Sequence, residues 1–150
     1  MAPMNAYLTI MGIETLALRM EKHVANAEVV ANYLHNPDKV SWVSYAGLEE
    51  SNYFHLAKKY LPKGAGSVFT FGIKGGYDAG VKFVEKCQLL SHLANIGDTR
   101  SLVLHPASTT HRQLTETQRI SAGAGDDVIR LSIGLETVED IIADLEQALR

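Results

Sequence analysis

The chain has 150 residues, a formal charge of −3, a pI near 6.0 and a single cysteine. That length suits one domain with an extension and an ordinary core, and the acidic balance provides no basic footprint for nucleic acid. No run approaches the roughly eighteen apolar residues of a membrane span, the N-terminus lacks the layout of a secretory signal, and one cysteine forms no internal disulfide, so a reducing, cytoplasmic setting is expected.

Residues from about Met4 to Leu34 are predicted to form one long helix, with Pro3 tolerated at its start and Asn36-Pro37-Asp38 ending it. At about 1.5 Å per residue it approaches roughly 45 Å, longer than a small domain is wide. Its first half is apolar nearly all round: Tyr7, Leu8, Ile10, Met11, Ile13, Leu16, Leu18 and Met20. The second half sets Val24, Ala27, Val30, Ala31 and Leu34 against a polar side of Lys22, His23, Asn26 and Glu28. A helix apolar all round belongs inside something. Either copies of the chain assemble along it, or it is enclosed by a larger protein.

Val40 to Tyr45 reads as a short strand carrying Trp42, and Glu49 to Tyr60 as a short helix with Lys58 and Lys59 in water. After a turn at Lys63–Gly66, Ser67 to Ile73 alternates with Phe69, Phe71 and Ile73 on one face, which predicts a strand. Lys74-Gly75-Gly76 lacks the full phosphate-loop pattern and reads as a turn into a helix from Asp78 to Leu90, capped by Asp78. Cys87 lies in that helix among Val81, Phe83, Val84 and Leu90, as a small buried hydrophobe rather than a nucleophile. A third strand, Ser101–Leu104, is stopped by His105-Pro106, and a long polar loop leads to a short helix capped by Thr115. A fourth strand follows the turn at Ala122–Gly125. From Thr137 the last helix repeats Val138, Ile141, Ile142, Leu145, Ala148 and Leu149 at threes and fours. The sum is an α+β fold: a small, mainly antiparallel four-stranded sheet with helices on one face, preceded by a long helix. The expected division is a linking helix over 1–36 and a small domain over 37–150.

The fourth strand carries the best candidate for chemistry. In Asp127-Val128-Ile129-Arg130-Leu131-Ser132-Ile133-Gly134, Ile129, Leu131 and Ile133 point one way and Val128, Arg130 and Ser132 the other. An arginine on the side away from an apolar face offers a planar fork that matches a carboxylate or phosphate in two parallel bonds. The plainer alternative is a structural ion pair with Asp126, Asp127 or Glu136. His105 and His111 are six apart across a Pro-containing loop with no Cys or carboxylate at ligand spacing, so no metal site is expected. Ser108 lacks a Gly-x-Ser-x-Gly elbow. Hydroxyl-to-backbone bonds explain Ser108, Thr109 and Thr110 as loop organisers, with His105 closing the strand end on main chain.

Several segments taken in order carry a resemblance. They are Gly12-Ile13-Glu14-Thr15-Leu16-Ala17-Leu18-Arg19-Met20, Asn95-Ile96-Gly97-Asp98, His105-Pro106-Ala107-Ser108-Thr109-Thr110-His111, and the Arg130 strand running on through Leu135-Glu136 to a terminal amphipathic helix. Over essentially its whole length the chain resembles the C-terminal domain of the Cys/Met-metabolism family of pyridoxal-phosphate enzymes. That family includes cystathionine synthases and lyases, methionine gamma-lyases and O-acetylhomoserine sulfhydrylases. The resemblance implies that the long helix links a large cofactor domain to this small one. It implies that Arg130 grips the α-carboxylate of an amino-acid substrate, that Asn95 lies beside it, and that Thr110 belongs to the wall of the site. Asn95, Gly97-Asp98 and Ser108-Thr109-Thr110-His111 look most like the O-acetylhomoserine sulfhydrylase branch, which replaces acetate by sulfide at the γ-carbon.

Pyridoxal phosphate itself is implied to sit in an upstream domain. Lys22, Lys39, Lys58, Lys59, Lys63, Lys74, Lys82 and Lys86 lie on predicted helix surfaces and turns, and none matches the family's Schiff-base motif. The chain is therefore expected to be inactive alone, with the upstream domain, the amino acid and a further copy of the enzyme as partners. The competing readings are a free-standing amino-acid-binding regulatory module, an oligomerisation domain acting through the long helix, and, within the family, a methionine gamma-lyase or cystathionine gamma-synthase or lyase.

Overall fold

A computed structural model of the chain describes residues 1–35 and 38–150; Asn36 and Pro37, expected to help end the first helix, lie outside the described residues. The expected single long helix is two: α1 (Pro3–Glu14) and α2 (Leu16–Leu34). At Thr15 the backbone leaves helical geometry (φ −103°, ψ 3°), and the Arg19 guanidinium reaches back to the Gly12 carbonyl and the Thr15 hydroxyl. A β-branched residue whose hydroxyl competes for hydrogen bonds is a weak point in a helix. No residue of α1 is buried, and Leu8, Ile10 and Ile13 are more than half exposed. The second half of α2 is core.

The remaining elements are β1 (Val40–Ser44), α3 (Phe54–Tyr60), β2 (Val68–Ile73), α4 (Gly76–Lys86), β3 (Ser91–His92), β4 (Leu102–Leu104), α5 (Glu116–Ser121), β5 (Val128–Ser132) and α6 (Val138–Leu149). A 3-10 turn, Pro106–Ser108, follows β4. The sheet has five strands, not the expected four, in the order β1-β2-β5-β4-β3. All neighbours are antiparallel except β3, which runs parallel to β4. Two residues are too few for alternation to register, so β3 left no period to read.

Two helix starts also differ from expectation. The helix expected from Glu49 begins at Phe54. α4 begins before Asp78, because Gly75 takes a left-handed conformation (φ +108°) at the cap, open to glycine but strained for other residues. Asp78 therefore sits within the first turn rather than capping it. Thr115 caps α5 as expected, in a reciprocal box with Gln118.

Alternation along β2 and β5 sets the layers. Phe69 pairs with Leu131 and Phe71 with Ile129, placing these side chains together on the face covered by α2, α4 and α6. Phe71 meets Phe83 of α4 edge to face at 5.6 Å. Leu145 and Ile141 of α6, and Val30, Ala31 and Leu34 of α2, complete a continuous core. α6 also contributes a buried carboxylate: Asp144 accepts the N–H groups of Gln88, Leu89 and Leu90 at 2.8, 2.9 and 3.0 Å. This fastens the connection between α4 and β3 to the last helix. Burial drives the Cys87 thiol up to about 12, with the Asp144 charge adding to it, so the sulfur stays protonated and donates to the Phe83 carbonyl.

Candidate functional site

The other face of the sheet carries Arg130. The register places Ser44, Thr70, Arg130 and Leu104 in one row across β1, β2, β5 and β4. Val128 and Ser132, on the same face of β5, are both buried, as are Leu102 and Leu104 of β4. Trp42 lies over Gly72 on this side, where no Cβ would fit, and its indole N–H donates to Asp127 Oδ2 at 3.0 Å. Arg130 thus rises, half-buried, above buried strand neighbours on a strand paired on both sides, with the exposed Asn95 loop beside its guanidinium.

Each carboxylate that sequence alone offered as its structural partner is engaged elsewhere. Asp126 pairs with Arg119 at 2.7 Å. Asp127 takes the Trp42 indole. Glu136 accepts the Ser101 N–H at 2.6 Å and the Ser101 hydroxyl at 2.8 Å. Among the described residues Arg130 makes no ion pair; its Nη2 donates to the Asn95 carbonyl oxygen at 3.4 Å, a long bond that leaves most of the fork's donors available.

Asn95 is therefore brought to Arg130, though through its main chain. It belongs to the exposed loop between β3 and β4, where its side chain accepts the Ile96 N–H at 2.8 Å. In the same loop the Arg100 N–H and guanidinium hold the Asp98 carboxyl below its usual range. Thr110 stands on the loop after β4, exposed, its hydroxyl on His111 Nδ1 at 2.8 Å. No hydrogen bond joins it to Arg130 or Asn95 among the described residues. The loop's origin is as expected: the Thr109 hydroxyl donates to the His105 carbonyl at 2.7 Å, and the Ser108 hydroxyl is shared between that carbonyl at 3.3 Å and the His105 ring. His105 Nε2 faces the Asp126 carbonyl at 2.9 Å and so carries the proton, while Nδ1 faces the Ser108 hydroxyl at 2.9 Å.

A shallow apolar hollow of about 260 Å³ lies beside this site, lined by Met20, Gly66, Val68, Ile96 and Gly97; Val68 shares Arg130's face of the sheet. A larger groove of about 370 Å³, between α2 and α3, includes none of Arg130, Asn95 and Thr110.

Sequence reasoning placed His23 and Asn26 on the solvated side of their helix. They are buried, at 1% and 2% exposure, and both reach the segment that follows the strand carrying Arg130. His23 Nδ1 faces the Ile133 carbonyl at 2.6 Å, and Asn26 Nδ2 donates to the carbonyls of Gly134 and Glu136 at 3.0 and 2.9 Å. Their spacing with Ala27, Val30 and Leu34 is itself helical, so a stripe drawn from position 23 rather than 24 would have included them.

A carbonyl cofactor held as a Schiff base needs a lysine withdrawn from water. Every lysine of the chain is exposed in this structure. Among the described residues no helix is long and apolar enough to cross a membrane.

Residues 1–150 match the family model described as Cys/Met metabolism PLP-dependent enzyme. The chain is 52% identical over 147 residues to a homocysteine synthase of Schizosaccharomyces pombe and 46% identical over 149 residues to O-acetyl-L-homoserine sulfhydrylase 1 of Thermus thermophilus. These alignments cover 98% and 99% of this chain but only 34% and 35% of the relatives, so the chain spans about a third of their length. A crystal structure of an O-acetylhomoserine (thiol)-lyase from Campylobacter jejuni, containing a pyridoxyl-lysine monophosphate, superposes with a TM-score of 0.92 at 46% identity. It matches 99% of this chain and 35% of that one.

Proposed function

Because the chain belongs to the Cys/Met metabolism family of PLP-dependent enzymes, we propose that it is the substrate-carboxylate-binding small domain of an O-acetylhomoserine sulfhydrylase. The observation that carries this reading is Arg130: a guanidinium on an inner strand, above buried neighbours, with no carboxylate partner among the described residues. Its free donors suit the α-carboxylate of an amino acid, held in two parallel bonds. Asn95, whose carbonyl already meets the guanidinium, borders that carboxylate, and Thr110 lines the wall on the opposite loop. Holding the carboxylate fixes the amino acid's rotation, which turns encounter into a positioned reaction. The cofactor, seated on a lysine outside this chain, supplies the electron sink for loss of the α-proton and exchange of acetate for sulfide at the γ-carbon.

The apolar, uncovered α1 fits burial against further protein, both an upstream cofactor domain of the same polypeptide and a second subunit. Residues 1–36 then act as the link into the domain of 37–150, with the second half of α2 packed into that domain's core. A cytoplasmic location accords with the lone free thiol.

Arg130→Lys in the complete enzyme tests the reading. Lysine keeps the charge but replaces the fork by a point. The loss of about 2–3 kcal/mol lowers kcat/KM thirtyfold to a hundredfold. Unchanged kinetics with a weakened fold would remove Arg130 from the site. The 150-residue chain alone, mixed with pyridoxal phosphate, O-acetylhomoserine and sulfide, is expected to show no cofactor absorbance band and no turnover; robust turnover would refute the division of labour.

A further inference from the structure

The buried polar groups of α2 converge on one short segment, Ile133 to Glu136, which begins three residues after Arg130. His23 Nδ1 must donate, since its partner is the Ile133 carbonyl, and Asn26 spends its side-chain N–H groups on the Gly134 and Glu136 carbonyls. The same segment is tied from the opposite side to the run that leaves the Asn95 loop. The Leu135 N–H donates to the Thr99 carbonyl at 2.8 Å. The Gly134 N–H donates to the Ser101 hydroxyl at 2.8 Å, and that hydroxyl donates on to Glu136. At Gly134 no Cβ would fit against the backbone of Arg100 and Ser101. The two backbones are therefore held by polar bonds at contact distance, where no side chain could do it by packing.

The consequence bears on the candidate site. Arg130 lies at the centre of β5, and Asn95 sits six residues before Ser101. The spacing between guanidinium and Asn95 carbonyl depends on how these two stretches are registered: the β4–β5 ladder pairs Leu104 with Arg130, the Ser101 and Glu136 bonds hold the end of that ladder, and His23 and Asn26 fasten the same end to α2. Resting on the reading of Arg130 as the carboxylate grip, we propose that His23 and Asn26 are positioning residues for substrate. They aim Arg130 at the carboxylate through the main chain of residues 133–136, without touching the substrate. Buried hydrogen bonds of this kind specify a geometry more than they add stability. The placement of the clasp on α2 also joins the aim of Arg130 to the helix that α1 precedes.

The test uses the complete holoenzyme and five variants. His23→Leu and Asn26→Leu remove the donors. His23→Asn retains an N–H near the position of ring Nδ1. Phe83→Leu weakens the core without entering the clasp, and Arg130→Lys reports on the grip itself. Expected is a rise in the amino-acid KM of about five- to tenfold for His23→Leu and Asn26→Leu. The KM for sulfide should be unmoved, His23→Asn should recover most of the loss, and Phe83→Leu should lower Tm with both KM values unchanged. Should the leucine variants not fold, Glu136→Gln keeps the side chain's volume while replacing the acceptor of the Ser101 hydroxyl and weakening the bond from the Ser101 N–H, and a smaller rise in the same KM is expected. Lowered Tm with an unmoved amino-acid KM would make the clasp structural and overturn the proposal. If Arg130→Lys also leaves that KM unmoved, the grip has failed; if Arg130→Lys raises it and the clasp variants do not, the clasp alone has failed.

Discussion

On one side of β5, Ile129, Leu131 and Ile133 are wholly buried against α2, α4 and α6; on the other, Arg130 stays half-buried between buried Val128 and Ser132. The strand is the same and the neighbours alternate, yet the two sides do different things with burial. The helix side gains stability from closely packed apolar atoms. The Arg130 side seats a charged fork above buried neighbours, with its Nη2 on the exposed Asn95 carbonyl and its remaining donors unspent. A fork whose remaining donors face solvent does little for the fold until a carboxylate takes them. Position along a strand therefore says which residues share a face, and the covering layer decides what that face is for.

The sharpest way to test the contrast is to truncate each side in turn. Leu131→Ala opens a cavity between β5 and the helices and is expected to cost about 2–5 kcal/mol, read by denaturant unfolding. Leu131 is fully buried, so little of that loss can be relieved by water entering.

The next largest effect lies outside β5, at Asp144. Burial pushes its carboxyl up, but the N–H groups of Gln88, Leu90 and Leu89 and the Gln147 amide together hold it below the usual carboxylate range. A depressed folded-state pKa contributes stability that is present above the unfolded value near 3.9 and lost as pH falls through the folded one. Asp144→Asn should cost about 1–3 kcal/mol at pH 7. It should also flatten the fall in Tm on acidification through that window; an unchanged acid profile would mean another group carries it.

Trp42→Phe keeps the ring over Gly72 but drops the bond to Asp127, and is expected to cost about 0.5–1.5 kcal/mol in thermal unfolding. Arg130→Lys should be the mildest for the fold, within about 0.5 kcal/mol, in contrast to its expected kinetic effect. A loss approaching that of Leu131→Ala would erase the difference between the two faces.

Much of this was readable residue by residue. The alternation at Ile129–Ile133 and at Phe69–Ile73 placed both central strands and separated Arg130 from the core. The threes and fours from Val138 to Leu149 placed α6, and the family segments pointed to Asn95, whose carbonyl meets Arg130, and to Thr110, which no hydrogen bond joins to either among the described residues. Helix boundaries were less readable, because the break at Thr15 and the start at Gly75 depend on single residues rather than on a period. The fifth strand was too short to carry one.

What the sequence by itself determined, then, is the set of local periods and the arginine whose alternation turns it from the core. Those follow from backbone geometry, which repeats every two or 3.6 residues whatever surrounds it. Only the tertiary structure decided that Asp126, Asp127 and Glu136 are engaged with Arg119, Trp42 and Ser101, so that Arg130 has no carboxylate partner among the described residues. Only the tertiary structure decided that His23 and Asn26 turn inward and Asp144 is buried. A polar side chain in a helix looks the same to a pattern whether it meets water or a backbone carbonyl more than a hundred residues away, and which it meets depends on how the layers pack.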